Sequence, residues 1–265
     1  MNTHAPYAVR RRRGPQQGFT LVELSVAVLI GLFLLGGLLT LVQDMRRTFG
    51  NQNQLAQLQD NERLAMTLIT DVVQAAGYYP NPTFYTITSA LPHVPAYPAF
   101  VQDGQAIAGT HNAAPPGDTL WVQFLTASGD GIINCTGGSN TTGIPQPYVN
   151  RFSADALGNL NCQLNLAAPV ALISPSGALA APLSGGVKNL QILYGVKRNL
   201  AIVNNNVDTY VDASQMSAAD WANLICVKVT LTFDNSALAK SQLGQPATIQ
   251  FTRVITVMSR GGANT

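Results

Sequence analysis

The sequence predicts an α+β protein in which one long N-terminal helix packs on an antiparallel β-sheet. Residues 24–42 form an apolar run without a charged side chain. Residues 43–76 continue with helical periodicity, which is typical of a helix that buries one face. The last third of the chain alternates apolar and polar residues in short segments, the pattern of half-buried strands. Short spacings between these segments favour antiparallel pairing in one layer against the helix.

The first half of the predicted helix is apolar enough to cross a membrane. About 19 uncharged residues at about 1.5 Å each give close to 30 Å, the thickness of a bilayer core. Arginines occupy positions 10–13 and no acidic residue precedes Glu23, so the positive-inside bias keeps the N-terminus cytoplasmic. No small-x-small cleavage site follows the run. We therefore predict that residues 19–42 remain as a transmembrane half of the helix.

The second half of the helix, residues 43–77, is predicted to be amphipathic. Gly77 is the expected C′ residue, with Pro80 and Pro82 shortly after it. The middle of the helix contains Gly31, Gly36 and Gly37, which lower its helical stability. They are either the glycines that are common in membrane helices or a place where the helix extends during filament packing. The apolar face comprises Leu58, Ala65, Leu68, Ile69, Val72 and Ala76, and the polar face Asp60, Arg63, Thr67, Thr70 and Gln74.

Residues 78–265 are predicted to form a globular head. We expect a loop with one short strand over 80–116, a buried strand over Thr119–Thr126, a loop over 128–150 and a weak hairpin over 152–166. Residues 167–186 are expected to form turns around a short apolar piece, Val170–Ile173. Further strands are expected over Val187–Val196, 225–234 and 247–257. Ser217 and Asp220 match a capping box that opens a helical turn. Arg253 interrupts the apolar phase of the last strand, which favours an edge strand or a bulge.

The three cysteines indicate one disulfide. Cys135 and Cys162 lie in Gly/Asn-rich loop sequence, which favours a bond between them in an oxidising compartment. That bond closes a loop of about 28 residues and stabilises the fold by roughly 3–4 kcal/mol. Cys226 lies within a strand pattern, so we expect it to be a free thiol.

Composition and motifs argue against an enzyme and against a nucleic-acid binder. The formal charge is +2, but without the four N-terminal arginines the balance is 11 basic to 13 acidic side chains, or −2. His4, His93 and His111 show no metal-ligand spacing, and no nucleophile, zinc or phosphate-loop motif is present. Residues 130–134 fit an ordinary turn better than a calcium loop, and Tyr78, Tyr79 and Trp221 fit core or interface positions. We predict no cofactor and no metal.

The stretch Gly18-Phe19-Thr20-Leu21-Val22-Glu23 combines a small residue, a phenylalanine and a single carboxylate ahead of the apolar run. It resembles the processing site of type IV prepilins and type II secretion pseudopilins. The resemblance implies that residues 1–18 are a leader, that prepilin peptidase cuts after Gly18, and that Phe19 becomes the N-methylated terminus.

Glu23 is unusual on physical grounds alone. A carboxylate inside an apolar span costs roughly 2.5–3.5 kcal/mol at the helix centre and less near an end. Glu23 is then either an interfacial carboxylate that reaches the headgroups or a charge that awaits a partner. The resemblance implies the second role, in assembly, with the N-terminal amine of a neighbouring subunit as the partner.

Several later stretches resemble PilW-type minor pilins: residues 71–80, 118–124, 187–195, 225–233 and 251–261. The lack of a helix proline and the chain length favour a minor over a major pilin. The implied fold is pilin-like, and the implied function is to prime pilus assembly in support of twitching motility, adhesion or DNA uptake. The implied partners are prepilin peptidase, other minor and major pilins, the inner membrane and a tip adhesin.

Two alternatives remain at this point. A J-type pseudopilin of a type II secretion system has the same processing and fold. A membrane-anchored periplasmic binding module or enzyme could carry the same N-terminal motif. The resemblance places the chain in the inner membrane, with a periplasmic head, and then in an extracellular pilus.

Overall fold

The computed structural model describes residues 18–175, 185–201, 206–236, 239 and 244–258. The chain divides into two compact units, Met1–Gly50 and Asn51–Thr265. Helix α1, Leu21–Gln74, begins in the first unit and ends in the second. The predicted class is therefore confirmed: a long N-terminal helix precedes antiparallel β-structure, and the helix packs against that structure within the second unit.

Within the head unit, α1 buries the face that the sequence predicted. Leu68 is only half-buried, whereas the predicted pattern omits Met66 and Val73, which are fully buried. Gly77 follows the helix with a φ of 75°, a conformation that favours glycine, and its N–H donates to the Gln123 carbonyl at 3.0 Å. The buried residues of α1 are Leu58, Ala65, Met66, Ile69, Val72 and Val73.

Five strands form an antiparallel meander in chain order. The prediction of a loop over 128–150 is wrong for its last residues, because β3 begins at Gln146 and pairs with β2 from Gln146 to Ser153. Because β3 contains many polar residues, its sequence does not show the apolar–polar alternation by which strands are predicted. A short helix, α2 (Ile87–Ala90), capped by Thr86 and Ser89, was not predicted. The strands are β1 Ile107–Thr110, β2 Thr119–Thr126, β3 Gln146–Ala154, β4 Leu160–Leu164 and β5 Val170–Ile173.

Four strands form a second antiparallel sheet in the order β7-β6-β8-β9. Strand β9 lies at the edge, as Arg253 had indicated. The predicted capping box opens helix α3 (Ala218–Ala222), where the Asp220 carboxylate also binds Arg198. That guanidinium holds the pKa of Asp220 well below its usual range. The strands are β6 Val187–Val196, β7 Thr209–Val211, β8 Leu224–Asp234 and β9 Thr248–Thr256.

A short parallel bridge joins the two sheets. Gly117, just before β2, pairs with Leu190 of β6. Asp118 is 3% exposed, and its two carboxylate oxygens accept the N–H groups of Ile192 at 2.7 Å and Asn112 at 2.8 Å. His111 Nδ1 lies 2.9 Å from the same carboxylate. Asp118 therefore satisfies backbone donors from two parts of the chain that are far apart in sequence.

Candidate processing and assembly site

The predicted cleavage position lies in exposed, non-helical chain just ahead of α1. Gly18 and Phe19 precede the helix, and the Phe19 side chain is 87% exposed. A Cβ added at Gly18 would meet no atom within 4 Å. The fold of the chain therefore does not require glycine here, and any preference for a small residue would come from a protein that acts on this segment.

Thr20 and Glu23 form reciprocal hydrogen bonds at the start of the helix. The Thr20 N–H and the Thr20 hydroxyl each donate to Glu23 Oε2 at 3.2 Å, and the Glu23 N–H donates to Thr20 Oγ1 at 3.3 Å. This is the reciprocal geometry of a capping box, with Thr20 just before the helix and Glu23 in its first turn. The Thr-x-x-Glu spacing before an apolar run signals this role, which was not among the predictions made from the sequence.

The capping box gives Glu23 a local partner in the single chain. The two Thr20 donors fill part of the hydrogen-bonding capacity of the carboxylate. The free-energy cost of placing that carboxylate in apolar surroundings is therefore lower. A carboxylate offers about four acceptor positions, and Glu23 Oε1 has no hydrogen bond among the described residues. Glu23 is thus held in place and still able to accept a second partner.

The first half of α1 is apolar on all sides. Over residues 21–42 every residue except the half-buried Gly31 is exposed, and Glu23 is the one charged residue among them. By length and composition α1 is a candidate membrane span. A continuous apolar surface of this kind marks a region that lipid or another protein covers. Its largest side chains include Leu24, Leu29, Leu32, Phe33, Leu34, Leu38 and Leu39.

Comparison with known families gives two matches. Residues 13–39 match the prokaryotic N-terminal methylation motif, which covers Gly18, Phe19 and Glu23. Residues 153–260 match type IV pilus-assembly protein W, the PilW family. Over residues 153–260 the chain is therefore similar to the PilW family. Its resemblance to PilW-type pilins is thereby confirmed. No curated protein and no solved structure matches the chain.

The two matches fall on separate parts of the chain. The methylation motif includes the exposed segment before α1 and much of the apolar helix. The PilW match runs from the end of β3 through β9, so it contains the whole four-stranded sheet. The motif implies processing by prepilin peptidase and assembly with other pilins. Both the motif and the apolar helix are consistent with anchoring in the inner membrane.

The PilW family is structural, which confirms the prediction that the chain is not an enzyme. His111 belongs to the Asp118 bridge between the sheets. Asp130 accepts the N–H groups of Ala127 and Ile132, as in an ordinary turn. Within the described residues, no group of three or more His, Cys, Asp or Glu side chains could hold a metal ion. His4 lies outside those residues.

The predicted disulfide is confirmed. Cys135 and Cys162 are bonded, with a Cα–Cα distance of 5.9 Å, and both are fully buried. The bond ties the loop after β2 to β4, and the Cys135 N–H donates to the side chain of Asn150 at 2.8 Å. Cys226 is a free thiol, as predicted, and it is buried, which was not predicted.

Proposed function

We propose that this protein is a minor pilin of the PilW type that is cut after Gly18, N-methylated at Phe19 and used to prime assembly of a type IV pilus. Priming in turn supports twitching motility and adhesion. The observation that carries the proposal is the joint placement of an exposed Gly18–Phe19 bond and a capped Glu23 at the start of an uncovered apolar helix.

An exchange of partners for Glu23 would drive assembly. In the single chain, Thr20 donors hold the carboxylate at the helix start. Cleavage after Gly18 creates a cationic amine at Phe19. In a growing filament, the Phe19 amine of a neighbouring subunit would bind Glu23 in low-dielectric surroundings, where a charge pair is much stronger than in water. The apolar surfaces of the two helices would pack at the same time.

The proposed partners follow from this sequence of events. Prepilin peptidase acts first, at the membrane face. Other minor and major pilins then pack against the apolar half of α1, and a tip adhesin joins a complex near the filament tip. The protein starts as a single-pass inner-membrane protein with a periplasmic head and ends in an extracellular pilus. The predicted leader lies, apart from Gly18, outside the described residues.

The cleavage step is tested by the mass and N-terminal sequence of the protein extracted from membranes. We expect a terminus at N-methyl-Phe19. Gly18→Ala should be processed partially, and Gly18→Leu should keep the full N-terminal segment, because the peptidase must accommodate the side chain before the bond. A Gly18→Leu protein that matures normally would refute the assignment.

The assembly step is tested in a strain that lacks the protein. We expect few surface pili and little twitching, with normal protein export. A J-type pseudopilin would give the reverse result, normal pili with defective type II export. Normal pili and normal movement would reject the priming role.

A further inference from the structure

An apolar groove lies beside the C-terminal end of α1, entirely within the head unit. It has a volume of about 610 Å³, within the range of about 300–1,000 Å³ that is usual for binding clefts. Met258, just after strand β9, and the loop that leads to Cys135 also border it. The residues that matter here are Asp71, Ala75, Tyr78, Ile132, Ile133 and Met258.

The rim of this groove carries negative charge at the end of α1. Asp71 is exposed in the last turn of α1, and that turn contains no basic residue. The C-terminal end of a helix carries a partial negative charge, which cations stabilise. Among the described residues, no lysine, arginine or histidine forms an ion pair with Asp71. The groove therefore fits a segment that presents apolar side chains together with one cation.

The same chain carries such a segment in its other unit. Val42, Met45 and Phe49 follow one another at helical spacing and are 39%, 61% and 77% exposed. Arg46 lies on the same face of the helix, four residues after Val42 and three before Phe49, and is also exposed. A helix of this kind enters a groove through residues at i, i+3, i+4 and i+7.

We infer that the groove of one subunit binds residues 42–49 of a second copy of this chain. Met45 and Phe49 fill the apolar floor against Ile132 and Tyr78, and Arg46 pairs with Asp71. This contact rests on the proposed function in one respect, since it needs two copies side by side in the membrane or filament. It adds a specific head-to-helix contact to the general packing of apolar helices.

Cysteine cross-linking in membranes tests the contact. Two copies with different tags are expressed together, one carrying Met45→Cys and the other Ile132→Cys, and an oxidant is added. We expect a mixed-tag dimer. Asp71→Arg in the Ile132→Cys copy should lower its yield about fivefold or more, because like charges at a contact repel. Arg46→Asp in the Met45→Cys copy should then restore the yield.

Asp60→Arg is the matched control, because Asp60 is an exposed acid three turns earlier on α1 and does not line the groove. It should leave the yield unchanged. An intact Cys135–Cys162 bond in each variant shows that the head has folded. Where a cysteine variant fails to fold, co-purification of the two tagged copies with the same charge reversals gives the readout.

Three results would overturn the inference. The first is the absence of a mixed-tag dimer, and the second is a yield that Asp71→Arg does not change. The third is rescue of Asp71→Arg by Arg260→Asp instead of Arg46→Asp, which would assign the groove to the chain's own C-terminal residues. The cross-link is read in membranes without reference to pili, so its failure is distinct from a failure of the priming role.

Discussion

At the residue scale, Glu23 has a partner before any second subunit arrives. Thr20 donates to its carboxylate from the backbone and from the hydroxyl. A carboxylate held in this way is easier to keep in an apolar helix than a free one. In the proposed function, a new partner must bind Glu23 more strongly than Thr20 does, and the amine of a neighbouring subunit would do so because it carries a full charge.

Substitutions at Glu23 and Thr20 should affect assembly to different degrees. Glu23→Ala should leave membrane insertion and cleavage intact and should strongly reduce incorporation into pili. Thr20→Ala removes only the cap, worth about 1 kcal/mol, so its effect on incorporation should be smaller. Thr20→Ser keeps the hydroxyl and serves as the control. Sheared pili and membranes are compared by immunoblot, and full incorporation of Glu23→Ala would show that Glu23 is only an interfacial carboxylate.

The sequence locates Gly18, Phe19 and Glu23 because the motif is local. The role of Thr20 is local as well and was readable from the same six residues. Asp118 is different. Its partner Ile192 lies 74 residues away, so no spacing rule connects the two, and the bridge becomes visible only once both sheets are built.

At the element scale, the Asp118 bridge should be essential for joining the two sheets. Asp118→Ala leaves the N–H groups of Asn112 and Ile192 without their acceptor, at roughly 1–3 kcal/mol for each buried group. Asp118→Asn keeps one acceptor oxygen and should cost less. Urea unfolding of the detergent-solubilised protein, followed by tryptophan fluorescence, measures both. Equal midpoints for Asp118→Ala and the wild type would contradict this role.

The disulfide should contribute about 3–4 kcal/mol to the free energy of unfolding, since it joins residues 27 positions apart. Replacing both Cys135 and Cys162 by alanine should lower the urea midpoint accordingly. Cys226→Ala is the control, because this buried thiol forms no disulfide. A reductant should shift the wild type toward the double variant and leave the double variant unchanged. Failure of the reductant to shift the wild type would argue against this stabilisation.

Strong alternation made some elements predictable and its absence hid others. Strands β2, β6 and β8 carry clear apolar patterns, and the predicted ranges agree with the structure. Strand β3 has polar residues such as Asn150 on its buried side, and β7 has only three residues. The sequence predicts one sheet where there are two, because the order of strands depends on contacts distant in sequence.

At the scale of the whole molecule, the two compact units should be separable. Asn51–Thr265 contains the hydrophobic core, both sheets and the disulfide, whereas the exposed apolar surface lies mainly in Met1–Gly50. A chain that begins at Asn51 should therefore be soluble without detergent and unfold cooperatively with an intact disulfide. Near-ultraviolet circular dichroism and thiol titration check this. An aggregated product with three free thiols would contradict it.

The apolar half of α1 has a further consequence. Because exposed apolar side chains surround it on every side, turning this half about its own axis in apolar surroundings would expose no new charged group. Glu23 alone among residues 21–42 carries a charge and breaks this rotational symmetry. In the proposed filament, the rotation of each helix about its axis would then be set by the neighbouring subunits, through the position of the Glu23 carboxylate.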